Sequence, residues 1–498
     1  PHWGIWELAL IGPTSTATNN LVRFDPDTAE EGPDTILPAL AKSWTVSNDG
    51  KTYTFQLEEG VTFHDGSPFT SEHAAFTLEA ISTKSDEQEA FGKKHGGTGE
   101  VLAVVSYQAW YQFIDEILTP DDYTLVVKLS QAQPSFLNVL SVEQAASIMN
   151  KATALSEPLA LRRKIGGTGP FQFESYDPGE NWTVDRYPGY WDQPRPYLDR
   201  IVTHIIPSEG TAVSAFRAGQ LDYMQVKKPE VMELVRADMP NTQIQPRTRL
   251  GFGNLFYNTD GPPFNNQKVR RAMSLVIDRK GMYETAFHGL GEWYTAAMPP
   301  GYWGLPDDRL DALPEFSWPM EKRISEAKKL LAEAGYPDGF DTVAITWPGF
   351  MTEIAVFTQD ALKKIGINQE VNSIERAPFY EMVFAKDFEM ASWTFGTKLN
   401  DPDGVLFEFY YCGSDRNYSD YCDRDISDKI EEQSAITDPA ARRELVWDIQ
   451  ELIWESAFIP QLGWDGWIHM QSQEMRGWVP GSPHSDYTRQ TYDTVWKE

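Results

Sequence analysis

The stretch Phe55–Ile81, FQLEEGVTFHDGSPFTSEHAAFTLEAI, leaves little freedom in local structure. Tyr53, Phe55 and Leu57 alternate with polar residues, the period of a half-buried strand. Glu59-Gly60 turns the chain, and Val61 and Phe63 resume an apolar face. Asp65-Gly66 supplies a second tight turn, because glycine accepts positive φ without steric cost. Thr70 or Ser71 then caps a helix whose apolar stripe is Ala74, Ala75, Leu78 and Ile81, with Phe69 placed to staple onto Ala74.

The same alternation of strand and helix periods runs down the chain. Tyr197–Val226 reads as strand, helix and strand in a βαβ-like unit, the helix starting at Ser208 or Thr211 and ending at Gly219. Phe252, Leu255 and Tyr257 fit a strand. Val269, Ala272, Met273, Val276 and Ile277 follow the spacing of an amphipathic helix, with Arg270, Arg271, Asp278 and Arg279 as its solvated residues. Helices ended by Gly335 and Gly366 alternate with further strands, which indicates an α/β class.

At 498 residues the chain has room for two to four domains, and no run of about 18 apolar residues is present to span a bilayer. A net charge of −30 argues against nucleic acid as a partner and fits a secreted or periplasmic protein; a saline habitat is another source of such acidity. With no other cysteine in the chain, Cys412 and Cys422 are expected to be an oxidised pair in an export compartment, with two free thiols as the alternative; C-x9-C lacks the four-ligand zinc pattern. In the chain-entropy account that bridge contributes roughly 2–3 kcal/mol. With 17 Trp, 21 Tyr and 26 Phe, the chain has aromatic rings for a binding cleft as well as a core.

Four islands carry a resemblance: GVTFHDGSPFTSEHAAFT, IGGTGPFQFESYDPGENWTVDRYPGYWDQ, LGFGNLFYNTDGPPFNNQKVRRAMSLVIDRKGMYETAFHG and DFEMASWTFGTKLNDPDGVLFEFYYCG. With NNLVRFD and PALAKSW near the start, they resemble, in order, the extracytoplasmic solute-binding proteins of ABC importers, family 5, of dipeptide, oligopeptide and nickel type. The resemblance implies a periplasmic-binding-protein type II fold: two α/β lobes with a hinge, plus an extra domain. On that pattern lobe I takes residues 1–40, 169–252 and 478–498, the extra domain 41–168, and lobe II 253–477. It also implies a monomer in the periplasm or at the cell surface that closes on a small-molecule ligand, needs no cofactor or metal, and delivers to the permease subunits of an ABC transporter. The family's first strand would precede Pro1, so the chain is expected to be a processed form. Gly167 and Gly169 are expected to permit a tight crossing between domains.

No G-x-S-x-G elbow, H-E-x-x-H pair or phosphate-binding loop occurs, and His64-Asp65 reads as turn geometry. The resemblance places a ligand-ammonium anchor on Asp401 or Asp403 of Asp401-Pro402-Asp403; the local alternative is an aspartate capping the following helix. Trp347 and Phe350 end a strand where dipeptide receptors of the family often carry an arginine, and TWPGFMTE has none. Trp393, Trp464 and Trp467 are further stacking candidates, and Arg376 is a candidate for a carboxylate. The acids Asp415, Asp420, Asp423, Asp425 and Asp428 do not follow a calcium-loop pattern and read as a solvated face. Peptide is the leading ligand class and oligosaccharide its rival. A secreted carbohydrate-active hydrolase is the alternative from another class.

Overall fold

A computed structural model describes residues 16–25, 35–102, 107–162, 164, 166–397, 399, 401–479 and 492–498. The terminal stretches 1–15 and 480–491, assigned above to lobe I, lie outside the described residues.

Strands β1 (Val22–Phe24) and β2 (Ile36–Pro38) form an antiparallel ribbon. Strands β3 (Ala41–Val46), β4 (Thr52–Leu57), β5 (Ile114–Asp121) and β6 (Thr124–Leu129) make an antiparallel sheet in the order β3-β4-β6-β5. The alternation at the start of the organising stretch puts Tyr53, Phe55 and Leu57 inside, joined by Val61, Phe63 and Phe69. Complete burial of each such side chain stabilises the fold by roughly 1.5–3 kcal/mol. Gly60 and Gly66 both take positive φ at the turns. The helix Ser71–Ser82 follows with Thr70 as its cap residue, and the Thr70 N–H donates to His73 Nδ1 at 3.3 Å. Phe69 meets the rings of Phe63 and His73, which offer more surface than the methyl of Ala74.

At Gly167 and Gly169 the chain makes a close backbone approach. A Cβ on Gly167 would sit 2.0 Å from the Ala17 carbonyl oxygen, and one on Gly169 2.3 Å from the Ala17 carbonyl carbon. His64 belongs to this crossing. Its N–H donates to the Gly167 carbonyl at 2.9 Å, and its ring Nε2 lies 3.0 Å from the Gly169 carbonyl.

Strands β7 (Phe171–Asp177), β8 (Asn181–Arg186) and β9 (Arg200–His204) form a three-stranded antiparallel sheet. The helix Glu209–Arg217 is capped by Ser208 and followed by Gly219 at positive φ. Its two flanking strands part company, however. β9 closes the three-stranded sheet, whereas β10 (Tyr223–Val226) begins a different one, so the unit is not a βαβ crossover.

That second sheet is the spine of the molecule. It contains β10, β11 (Gln243–Tyr257), β12 (Asp341–Thr346), β13 (Asn368–Ser373), β14 (Met390–Gly396) and β15 (Gln461–Gln471), in the order β10-β15-β11-β14-β12-β13. β12, β13 and β14 are parallel, and the remaining pairs are antiparallel. The helices Met320–Glu333, Phe350–Lys363 and Arg376–Phe384 alternate with these strands, giving the expected α/β class. Finally β16 (Met475–Arg476) pairs with β17 (Trp496–Lys497), and buried Asp493 takes Arg23 at 2.9 Å and Arg195 at 3.4 Å.

One expectation fails in the helix Gln267–Leu275 and at the start of the next, Arg279–Thr285. Arg270, Arg271 and Arg279 are buried, not solvated. The reason is the end of the helix Pro439–Ser456, whose last carbonyls have no partner within the helix. Arg270 donates to the Ser456 carbonyl at 3.0 Å, and Arg271 to the Trp454 carbonyl at 3.0 Å and to Glu315 at 2.8 Å. Arg279 donates to the Gln461 carbonyl at 2.8 Å and lies over the Trp454 ring; burial pulls its guanidinium down to about 10. Asp278 caps the helix Arg279–Thr285.

Replacement Gly169→Ala is expected to cost roughly 1–3 kcal/mol, since the clash is with backbone that cannot yield. Gly210→Ala, in the helix Glu209–Arg217 where only the Ser208 hydroxyl comes within 4 Å at 3.9 Å, is the control that does not lower the denaturant midpoint.

Candidate functional site at the strand crossing

The two longest strands of the spine, β11 and β15, run through both halves of it. β10 pairs with the far end of β15, at Ile468–Gln471. β14 pairs with the far end of β11, at Gly251–Tyr257. Between these regions the register of β11 against β15 breaks, from Thr248–Gly466 to Phe252–Trp464. Four glycines, Gly251, Gly253, Gly463 and Gly466, cluster at the break. A Cβ on Gly466 would lie 2.9 Å from the Gly291 nitrogen, so the loop at Gly291 packs directly on the strand. The carboxyl ends of β10, β12 and β14 lead to Lys227, Trp347 and Thr397. In open α/β sheets this is the edge where ligands sit.

The structure brings two of the sequence candidates together around a residue that no sequence pattern had singled out. Lys227 Nζ lies 3.7 Å from the centre of the Phe350 ring and 4.7 Å from that of Trp467, and it pairs with Asp465 at 2.8 Å. Phe350 opens the helix Phe350–Lys363 and is positioned by Gly349, whose φ of 96° only glycine adopts easily. Phe350 also packs on Phe287, with ring centres 5.5 Å apart. Lys227 follows β10, Asp465 and Trp467 come from β15, and Phe350 comes from the β12 end. The contact therefore joins opposite halves of the spine.

A second pair forms nearby. Arg376 begins the helix Arg376–Phe384, and its guanidinium lies 5.3 Å from the Trp347 ring centre and 5.7 Å from that of Tyr380. Trp347 is half-buried and meets Phe379 edge-on at 4.8 Å. The arginine absent from TWPGFMTE thus reaches the same strand end from another helix.

Two tryptophan candidates belong to the core instead. Trp393 is 1 % exposed, stacked on Phe256 at 4.1 Å and flanked by Phe379 and Tyr418. Trp464 is fully buried against Phe252, at 4.7 Å.

Asp401 and Asp403 also depart from expectation. Both are buried, and both face Arg442: Asp401 at 2.6 and 2.8 Å through its two oxygens, Asp403 at 3.1 Å. Asp403 further accepts from Ser135, Gln433 and Ser434. Asp401 caps the short helix Pro402–Val405 by accepting from the Asp403 N–H. The acceptors that an ammonium anchor needs are already engaged by the protein. Burial pushes the Asp401 carboxyl above the usual range; Arg442 opposes this and the neighbouring Asp403 adds to it. Arg442 itself is held more firmly protonated, since the charges of Asp401 and Asp403 outweigh its burial. Nothing in AARRELVW distinguishes Arg442 from a solvated helix residue.

Cys412 and Cys422 are bonded, with Cα atoms 4.7 Å apart. The enclosed loop carries buried Arg416, which pairs with Glu408 and lies 5.8 Å from the Tyr107 ring centre. Asp415 on the same loop accepts from Ser85 at 2.7 Å, while Asp423 caps the helix Arg424–Ala435. With Ser135–Asp403 and Phe113–Phe407, these contacts seat the 403–422 segment against the region of the four-stranded sheet. Among the described residues no group of three or more His, Cys, Asp or Glu is arranged to hold a metal ion.

A mixed spine shared by two halves, with aromatic and cationic groups at its crossing, defines a two-lobed binding protein. The chain belongs to the bacterial extracellular solute-binding proteins, family 5, which it matches over residues 35–417. It is 28 % identical over 404 residues to heme-binding protein A of Haemophilus influenzae, covering 78 % of this chain and 70 % of that one. It is 27 % identical over 463 residues to the dipeptide-binding protein of Escherichia coli, covering 88 % and 82 %. Among solved structures, the periplasmic binding protein DppA from Helicobacter pylori, in complex with the peptide STSA, superposes with a TM-score of 0.84 at 26 % identity, covering 100 % of this chain and 95 % of that one.

Arg442→Met is expected to destabilise the protein by about 3–5 kcal/mol, because two carboxylates lose their buried counter-charge. The Asp401 carboxyl, already raised by burial, then loses the guanidinium that opposed the rise. Its cost is therefore full at neutral pH and shrinks as pH falls through the folded value. Urea unfolding of wild type and variant at neutral and mildly acidic pH checks this; a loss that stays constant with pH contradicts it.

Proposed function

We propose that this chain is the extracytoplasmic receptor of an ABC importer, in the periplasm or at the cell surface. It captures a peptide-like, carboxylate-bearing solute between its lobes and hands it to the permease. It acts as a monomer that makes and breaks no covalent bond. The family match over residues 35–417 carries this reading. The dipeptide-binding relative and the peptide-bound DppA structure support the ligand class. Arg376, laid across Trp347 at the end of β12, supports the chemistry: a planar guanidinium held by an aromatic face is well suited to a carboxylate.

Native mass spectrometry of freshly purified protein should release a bound mass that fragments as peptide. A mass built of hexose units would replace peptide by oligosaccharide, and turnover of a glycoside would sink the receptor reading. In calorimetric titrations with a panel of dipeptides, Arg376→Ala is expected to weaken binding about 10- to 100-fold, the equivalent of one charge-assisted hydrogen bond. The same dipeptides with amidated C-termini should show no difference between wild type and variant; equal losses for both would assign Arg376 a packing role.

A further inference from the structure

The surroundings of Lys227 are those of a receptor for a protonated amine. Its ammonium has a carboxylate oxygen, that of Asp465, at 2.8 Å and two ring faces, Phe350 and Trp467, at 3.7 and 4.7 Å. Cation–π contacts reward an ammonium over the ring face and gain strength when water is excluded. Lys227 and Asp465 side chains are only 16 % and 2 % exposed. The indole N–H of Trp467 is enclosed and meets no hydrogen-bond acceptor among the described residues, which leaves a donor for an occupant's carbonyl or anionic oxygen. The walls of this box come from β15 and from the start of the helix Phe350–Lys363, whereas the ammonium is delivered on a flexible four-carbon stem from the end of β10. Walls and occupant are thus separable parts.

We propose that Asp465, Phe350 and Trp467 form an ammonium-recognition site for the solute, and that Lys227 is its built-in occupant, turned out when a ligand ammonium takes its place. The site supplies the anchor that Asp401 and Asp403, engaged by Arg442, do not. Lys227 then acts as an internal competitor: it keeps the box charged and closed when empty of solute and lowers affinity for weak amines. The identity of the natural amine, a peptide N-terminus, rests on the peptide reading above; the box itself does not.

Removing the occupant tests this directly. Lys227→Ala should be stabilised by propylammonium, with a concentration-dependent rise in Tm of several degrees. Propanol, of the same shape without charge, should have no such effect, and Asp465→Asn added to Lys227→Ala should abolish the rise. Equal responses to propylammonium and propanol would overturn the proposal. Should Lys227→Ala not fold, the wild-type chain with 13C-dimethylated lysines gives the second readout. The Lys227 methyl signal should lie upfield from the two rings and move toward the exposed-lysine position as propylammonium is added; a signal that never moves sinks the displacement. Dipeptides should bind Lys227→Ala more tightly than wild type, and their N-acetyl forms should not. Propylammonium rescue without any dipeptide binding would keep the box and discard the peptide reading, whereas weaker dipeptide binding to Lys227→Ala would show that Lys227 itself contacts ligand and would overturn its role as occupant.

Discussion

Two strands belong to both halves of this protein, and that shared backbone is the constraint on which everything else rests. β11 pairs with β14 at one end and, through β15, shares the sheet with β10 at the other. Any rotation of one half against the other must be absorbed where their register breaks, between Thr248 and Phe252 and opposite Trp464–Gly466. Glycines at that break lower the resistance of the backbone to a change in φ and ψ. The same backbone fixes where the functional side chains fall. Asp465 and Trp467 lie beside this break, so their distance from Lys227 and Phe350 depends on the relation of the halves.

Buried charge supplies the second layer of order. Arg442 sits between Asp401 and Asp403, which ties the loop after β14 to the helix Pro439–Ser456. Arg270, Arg271 and Arg279 do the same for the end of that helix and the start of β15. In each case a guanidinium satisfies carbonyls or carboxylates that the fold has removed from water, and leaving one partner behind is what makes its loss expensive. The price of this arrangement is that acids which look available in sequence are committed in three dimensions.

What the sequence reveals follows from how local each determinant is. The Phe55–Ile81 stretch and the Ser208–Gly219 helix were legible because their turns and periodicity are set by residues close in the chain; at Gly167 and Gly169 the missing side chains marked a close approach, but not its distant partner Ala17. The bridge between Cys412 and Cys422 was legible because two cysteines leave one pairing. The parting of β9 and β10 into different sheets was not, because strand partners are chosen by tertiary packing that a strand–helix–strand pattern does not encode. At the site, Phe350, Trp467, Trp347 and Arg376 were found as isolated candidates, but their grouping was invisible. Lys227 was missed altogether, since a lysine in VKKPE carries no signal until a ring more than a hundred residues away is placed over it. Arg270 and Arg271 were misread for the related reason that helical spacing marks the apolar face and says nothing of a second helix end that needs donors.

The position of β15 also governs how the chain can assemble. It lies between β10 and β11 in space yet follows them in sequence by the whole of the second half. Until it is present, β10 lacks its hydrogen-bonding partner in the sheet and β11 has one side open. Bringing such distant segments together makes folding slow compared with a chain of local contacts. Completion of the spine therefore waits for β15, and a chain that ends before it has the four strands β11-β14-β12-β13, an unpaired β10 and no joint.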